Sequence, residues 1–212
     1  EYQLPGITQM QVLPRIGFDF ALGLRSMLRH DPDVMLVGEI RDYETAEMAI
    51  RSSLTGHLVL STLHTNDAAG AVTRLTDMGV EPFLISSTMI ASMAQRLIRR
   101  VCESCAAPTE LDPAAICEEF NVPEDEVRQG GFRKGRGCDT CRHTGYKGRM
   151  AICEILPFTN EIKDLTVRRA TSLDIKRLAL QQGMRTLRMS GWQRVRQGIT
   201  TAEEVLRVTA DA

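Results

Sequence analysis

Two Cys-x-x-Cys pairs, Cys102/Cys105 and Cys138/Cys141, are separated by 32 residues, Ala106 through Gly137. Two such knuckles offer four soft thiolates, the donor set of a tetrahedral Zn²⁺ with no open coordination position. A closed site staples the chain rather than catalysing, so a lobe spanning Cys102–Arg149 is expected to fold around the metal. Gly137 before the second pair and Gly145 after it let the backbone turn tightly while amides approach the sulfurs. Cys117 and Cys153 have no partner at ligand spacing and read as core residues. Disulfides fit less well: the pairs sit in a charged, enzyme-like sequence, and Glu1–Pro5 lacks the basic-then-apolar order of a signal peptide.

The hydrophobic pattern before the cysteines alternates helix and strand. Phe20, Leu24, Met27 and Leu28 recur at helical spacing until Asp31-Pro32-Asp33 stops the helix. Val34–Val37 is a short apolar run with the form of a strand buried on both faces of a parallel sheet, ending in Gly38-Glu39. A second helix, about Tyr43 to Thr55, closes at Gly56, and Leu58–Thr62 is the next strand. Asn66 or Asp67 can cap a third helix bearing Ala71, Val72, Leu75 and Met78, closed by Gly79. Such an order implies a parallel α/β sheet. A further helix is expected from Pro82 to about Ala94, then an edge strand over Arg96–Val101. Met150–Leu156 reads as a strand, and three or four short helices separated by Gly183 and Gly198 complete the chain.

Charge narrows the partners. Lys plus Arg total 26 against 27 Asp plus Glu, so the whole chain sets up no strong field for nucleic acid or an anionic membrane. One local stretch is basic, with Arg128, Arg133, Lys134, Arg136, Arg142, Lys147 and Arg149 opposed only by Asp139. It carries two aromatics, Phe132 and Tyr146, and follows Glu118, Glu119, Glu124, Asp125 and Glu126. A solvated face or a protein contact suits it better than base stacking, and no direct nucleic-acid contact is expected. No apolar run reaches the roughly 18 to 20 residues of a transmembrane segment, and the chain reads as cytosolic. Its 43% hydrophobic content supports a real core of one large or two small domains. The first residue is not Met, and Glu1–Pro5 has no preceding element, so a piece of a longer protein is expected.

Glu39 ends one strand, where a nucleotide-hydrolysing enzyme needs a carboxylate beside the γ-phosphate to orient a water. The neighbouring strand brings Ser61-Thr62-Leu63-His64-Thr65-Asn66 to the same sheet edge, the edge at which open α/β sheets bind ligands. Arg25 and Arg29 lie four apart on the first helix and share a face, which would offer two cations to phosphate oxygens.

These segments together carry a resemblance. Leu24-Arg25-Ser26-Met27-Leu28-Arg29-His30-Asp31-Pro32-Asp33, Gly38-Glu39-Ile40-Arg41-Asp42, Leu54-Thr55-Gly56-His57 and Ser61-Thr62-Leu63-His64-Thr65-Asn66 resemble the type II secretion and type IV pilus assembly ATPases. The likeness continues through the paired cysteines and Gly145-Tyr146-Lys147-Gly148-Arg149 to Gln197-Gly198-Ile199-Thr200. It implies an α/β fold in three parts: residues 1–101 as the C-terminal part of a RecA-like P-loop core, 102–149 as an inserted zinc subdomain, and 150–212 as a strand with a helical tail. It also implies a homo-hexamer that hydrolyses ATP with Mg²⁺ and drives assembly of pilin or pseudopilin subunits. Such a motor is cytoplasmic and attached to the inner membrane through a platform protein.

By the same resemblance Glu39 matches the Walker B glutamate, and His64 would sense or stabilise the γ-phosphate. His57, Arg25 and Arg29 fall among nucleotide-contacting positions, the arginines acting in cis or across a subunit boundary, and Glu1 matches the last acid of the Asp box. The paired cysteines favour the assembly and secretion branch over retraction motors. Two departures stand out. No Gly-x-x-x-x-Gly-Lys-Ser/Thr phosphate loop occurs in the 212 residues, so this chain alone is expected to hydrolyse ATP poorly. Gly38 stands where many phosphate-loop enzymes place a Mg²⁺-holding aspartate. The competing reading is a zinc-stabilised protein- or nucleic-acid-binding module, which leaves Glu39, His57 and His64 unexplained.

Overall fold

The computed structural model describes residues 2–210; Glu1 therefore lies outside the described residues. Helix α1 (Phe20–Met27) starts where Asp19 accepts a hydrogen bond from Leu22 N at 2.8 Å, and it buries Ala21, Gly23 and Leu24. A 3₁₀ turn over Leu28–His30 follows, and Asp31, at φ 51°, turns the chain just before Pro32. Strand β1 (Val34–Val37) leads into α2 (Tyr43–Leu54), capped by Asp42 through Thr45 N at 2.8 Å. Strand β2 (Leu58–Ser61) then pairs parallel with β1 in the register Val34↔Leu58 to Val37↔Ser61.

The parallel pairing agrees with the sequence pattern, but burial on both faces does not. Met35 and Val37 are buried, whereas Val34 is 56%, Leu36 68%, Leu58 43% and Leu60 48% exposed. The described helices cover only the Met35/Val37 side, so the opposite face of this two-stranded sheet meets solvent.

Helix α3 (Gly70–Asp77) begins beside Asp67, whose Oδ1 accepts from Gly70 N at 2.8 Å. Helix α4 is shorter than its sequence suggests. It spans Pro82–Thr88, and from Ala91 the chain is strand β3 (Ala91–Val101). The buried positions Ala94 and Ile98 lie four apart, a spacing that suits a helix as well as a strand. What selects the strand is remote pairing: β3 runs antiparallel to β6 (Tyr146–Pro157), from Ala91↔Pro157 to Val101↔Tyr146, with a shift after Arg99.

Between them lies the cysteine lobe, with β4 (Ala106–Pro108), α5 (Pro113–Phe120), α6 (Glu124–Arg128) and β5 (Arg133–Gly135). β4 and β5 pair antiparallel. Four helices complete the chain: α7 (Asn160–Val167), α8 (Ser172–Gln181), α9 (Leu187–Arg196) and α10 (Ala202–Val208). Each starts at a threonine, Thr159, Thr171, Thr186 or Thr201, whose hydroxyl accepts from the amide three residues on.

Two apolar cores organise these parts. The larger joins α1–α4 and the β3–β6 ribbon to α7, α8 and the start of α9 through Ile98, Ile152, Leu156, Ile162, Ile175 and Leu187. The smaller joins Ile116, Phe120, Val127 and Phe132 of the lobe to Trp192, Val195 and Val205 of α9 and α10. Trp192 sits between Phe120 and Phe132, with ring centroids 5.0 and 5.6 Å away, and its Nε1 donates to Glu126 Oε2 at 3.1 Å. Gly191 is what lets α9 approach α10 this closely, since a Cβ there would lie 2.4 Å from Val205 Cγ1.

Buried charge ties the ribbon to α10. Glu204 accepts from Arg99 N at 3.0 Å, from the Arg99 guanidinium at 2.7 and 3.0 Å, and from the Arg207 guanidinium at 2.8 and 2.9 Å. Burial disfavours its charged form, but the two guanidiniums outweigh burial and hold its pKa down at about 2. Arg99 also stacks 4.2 Å over the Tyr146 ring, and Thr200 Oγ1 donates to Arg99 O at 2.8 Å.

Candidate metal centre and nucleotide site

The four cysteines at ligand spacing converge. Cys102 leaves the end of β3, Cys105 enters β4, and Cys138 and Cys141 bracket a 3₁₀ turn after β5. Their Sγ atoms all lie within 4.8 Å of one another. The Cys102–Cys138, Cys105–Cys141 and Cys138–Cys141 separations are 4.0, 3.9 and 3.8 Å. Zn–S bonds of 2.3 Å in a tetrahedron require sulfur–sulfur edges of about 3.8 Å, so the residues fit a single Zn²⁺. These are far longer than a disulfide bond, and all six cysteines are free.

Backbone amides supply the surrounding shell. Cys138 N and Gly145 N donate to Cys141 Sγ at 3.2 and 3.3 Å. Burial works against ionising Cys141, yet these amides bring its thiol down to about 6; Cys105 is pushed up, by burial first, to about 11. The loop geometry depends on glycine. Gly137 has φ 92°, and a Cβ on Gly135 would collide with Gly145 O, so the turn before β6 passes against the end of β5 backbone to backbone. Cys117 and Cys153 are half-buried and lie outside the cluster, Cys117 packing on the smaller core.

At the carboxyl ends of β1 and β2 a second constellation forms. Ile40 N donates to Thr62 O at 3.0 Å and Thr62 Oγ1 to Gly38 O at 2.7 Å, which holds the two strand exits side by side. Glu39 and His64 meet there, with His64 Nε2 3.1 Å from Glu39 Oε2, a contact that places a proton on Nε2. Arg41 Nε lies 2.7 Å from the same oxygen. Arg41 first and His64 second pull the Glu39 pKa below its ordinary value, so the carboxylate is charged at neutral pH. Arg41 is a site residue that the motif contained without marking. The signal available was its i,i+2 spacing from Glu39 across a turn, which only the backbone path converts into contact.

The other candidates are placed apart. His57 precedes β2, at the opposite end of that strand from His64, and its Nδ1 lies 2.9 Å from Ser52 O and 3.0 Å from Thr55 Oγ1. There it closes the end of α2. Arg25 reaches toward the first turn of α2, 3.4 Å from Glu44 Oε1. Arg29 lies in the 3₁₀ turn that feeds the amino end of β1, and it forms no ion pair among the described residues. The basic lobe residues are partly spoken for: Arg128 pairs with Glu124 at 2.6 Å and Lys134 with Glu203 at 3.2 Å.

Comparison with known proteins places this geometry in context. Residues 1–207 match the family described as type II/IV secretion system protein. The chain is 50% identical over 211 residues to the type IV pilus assembly ATPase PilB of Thermus thermophilus, covering 100% of this chain and 24% of that protein. It is 49% identical over 212 residues to the type II secretion system protein HxcR of Pseudomonas aeruginosa, covering 100% of this chain and 41% of the relative. The chain thus spans well under half the length of these relatives. Among solved structures it superposes on the ADP-bound pilus retraction motor PilT with a TM-score of 0.62 at 25% identity, over 91% of this chain and 44% of that one. The Legionella pneumophila ATPase DotB gives the same score at 23% identity, covering 94% and 44%, a likeness of fold alone. The fold is the α/β fold of these ATPases, and the chain belongs to the type II/IV secretion system protein family.

Proposed function

We propose that this chain is the C-terminal part of a RecA-like motor ATPase that powers assembly of type IV pili or type II secretion pseudopili. The observation that carries the reading is the meeting of Glu39 and His64 at the shared carboxyl edge of two parallel strands. Glu39 would orient the attacking water, and His64 would turn from Glu39 toward the γ-phosphate when ATP enters with its Mg²⁺. Arg41 and His64 hold the carboxylate ionised beforehand, the form able to accept a proton.

The solvent-facing side chains of Val34, Leu36, Leu58 and Leu60 support a larger sheet, because parallel strands are ordinarily covered on both faces. The phosphate loop would come from the remainder of the longer protein. Arg29 lies toward the amino end of β1, in the turn beyond the carboxyl end of α1, whereas Phe20 at the other end of that helix abuts Gly38 beside Glu39. That direction favours service to a neighbouring subunit's nucleotide over its own, as a homo-hexamer allows. Arg25, nearer the first turn of α2, would act with it, and His57 would contribute by fixing the entry to β2.

Cys102, Cys105, Cys138 and Cys141 would hold Zn²⁺ as a structural staple. Its chemistry is to bind four thiolates, and it leaves the reaction to the sheet edge. No helix among the described residues is long and apolar enough to cross a membrane, which is compatible with a cytoplasmic motor docked on an inner-membrane platform protein. The test is ATP turnover and nucleotide binding by the zinc-loaded full-length protein. His64→Ala is expected to bind ATP but to turn it over slowly; full turnover in that variant contradicts the role given to His64.

A further inference from the structure

The segment between His64 and α3 is gripped by three other parts of the fold. Arg96 Nη2 on β3 donates to Asn66 O at 3.4 Å, Lys176 Nζ on α8 to Asp67 Oδ2 at 3.0 Å, and Ala68 N to Glu154 Oε1 on β6 at 2.9 Å. The other Glu154 oxygen accepts from Leu187 N, the first residue of α9, at 3.3 Å. One carboxylate therefore bridges the loop behind His64 to the start of a helix more than a hundred residues later in the sequence.

Glu154 is only 1% exposed and forms no ion pair with a cation among the described residues. Burying a carboxylate so deeply is costly unless its charge is met. Here two amides meet it, Ala68 N in the bend before α3 and Leu187 N at the amino end of α9, where the helix dipole adds positive potential. Asp67 plays a double part as well, accepting from Gly70 N at the first residue of α3 while it pairs with Lys176. His64 itself is 76% exposed in its side chain, and Glu39 is its sole hydrogen-bond partner among the described residues. Little besides the backbone behind it sets where the ring stands.

We propose that Glu154 and Lys176 are positioning residues that latch the His64 loop to α8 and α9, so that the helical tail sets the His64–Glu39 contact. Displacement of His64 by a ligand is then delivered to α8 and α9 through the same two contacts. Only the catalytic consequence rests on the nucleotide reading; the mechanical tie stands on the hydrogen bonds.

The experiment follows the His64 ring by NMR in full-length protein carrying ¹³C at histidine Cε1, beside ATP turnover on the same samples. Glu39→Gln marks the resonance position of His64 without its carboxylate partner. Lys176→Met is expected to move the His64 resonance toward that position and to lower kcat on the order of tenfold or more with KM nearly unchanged, the signature of misplaced chemistry rather than lost binding. Lys176→Arg should restore both. Arg177→Met, which removes an exposed side chain paired with Asp174 on its own helix, should change neither. Glu154→Gln should reproduce Lys176→Met wherever it folds. An unmoved His64 resonance in Lys176→Met overturns the proposal. Absence of ATP turnover in the wild type faults the nucleotide reading alone, because the resonance is read without nucleotide.

Discussion

Replacing Glu204 by Gln tests how the β3–β6 ribbon is held to α10. The carboxylate is wholly buried, and Arg99 and Arg207 lower its pKa from 4.5 to about 2 against the opposing effect of burial. At 1.36 kcal/mol per pH unit, that fall corresponds to about 3 kcal/mol of folding stability at neutral pH. The side chains of Arg99 and Arg207 are 45% and 58% exposed and regain water when the pair is broken, so the expected cost is nearer about 2 kcal/mol. The folded pKa lies below the unfolded one, so this contribution is complete above the ordinary carboxylate range and disappears as pH falls toward 2. About half should be gone by pH 3. Urea unfolding of wild type and Glu204→Gln at pH 7 and at pH 3 reads the difference, in which any zinc loss common to both proteins cancels. Equal stability at pH 7, or a gap that stays constant down to pH 3, would refute the assignment of the charge pair.

Chelating zinc, or substituting Cys138→Ser, should loosen the lobe and the core it shares with α9 and α10; the single tryptophan, Trp192, reports this as a red-shifted emission. Gly191→Ala places a methyl 2.4 Å from Val205 Cγ1 and should cost about 1–3 kcal/mol in urea unfolding. Arg41→Ala removes the largest influence lowering the Glu39 pKa, so the acid limb of the ATPase pH profile should move to higher pH.

What was legible in the sequence was local. β1, α2 and β2 follow from apolar runs and from the glycine stop at Gly56, and the cysteine spacing leads directly to a cluster whose sulfurs fit a tetrahedron. Glu39 and His64 were placed on one edge because parallel strands carry their exits to the same side. Contacts made across long sequence separation were not legible. β3 begins at Ala91 because β6 pairs with it, while its buried positions are four apart and imitate a helix. The joint core of the lobe with Trp192, the Arg99–Glu204 pair and the Glu154 bridge each join residues far apart along the chain, and no period or motif announces them. The exposed face of β1 and β2 shows the converse limit: the apolar run reads as a strand covered on both sides, and among the described residues one side of it stays exposed.

The most direct test of the motor reading is ATP hydrolysis by the full-length, zinc-loaded protein with Glu39→Gln. A water-orienting carboxylate contributes chemistry rather than affinity, so the variant should bind ATP as the wild type does while its turnover falls by about 10²-fold or more. Wild-type turnover in Glu39→Gln would contradict the account.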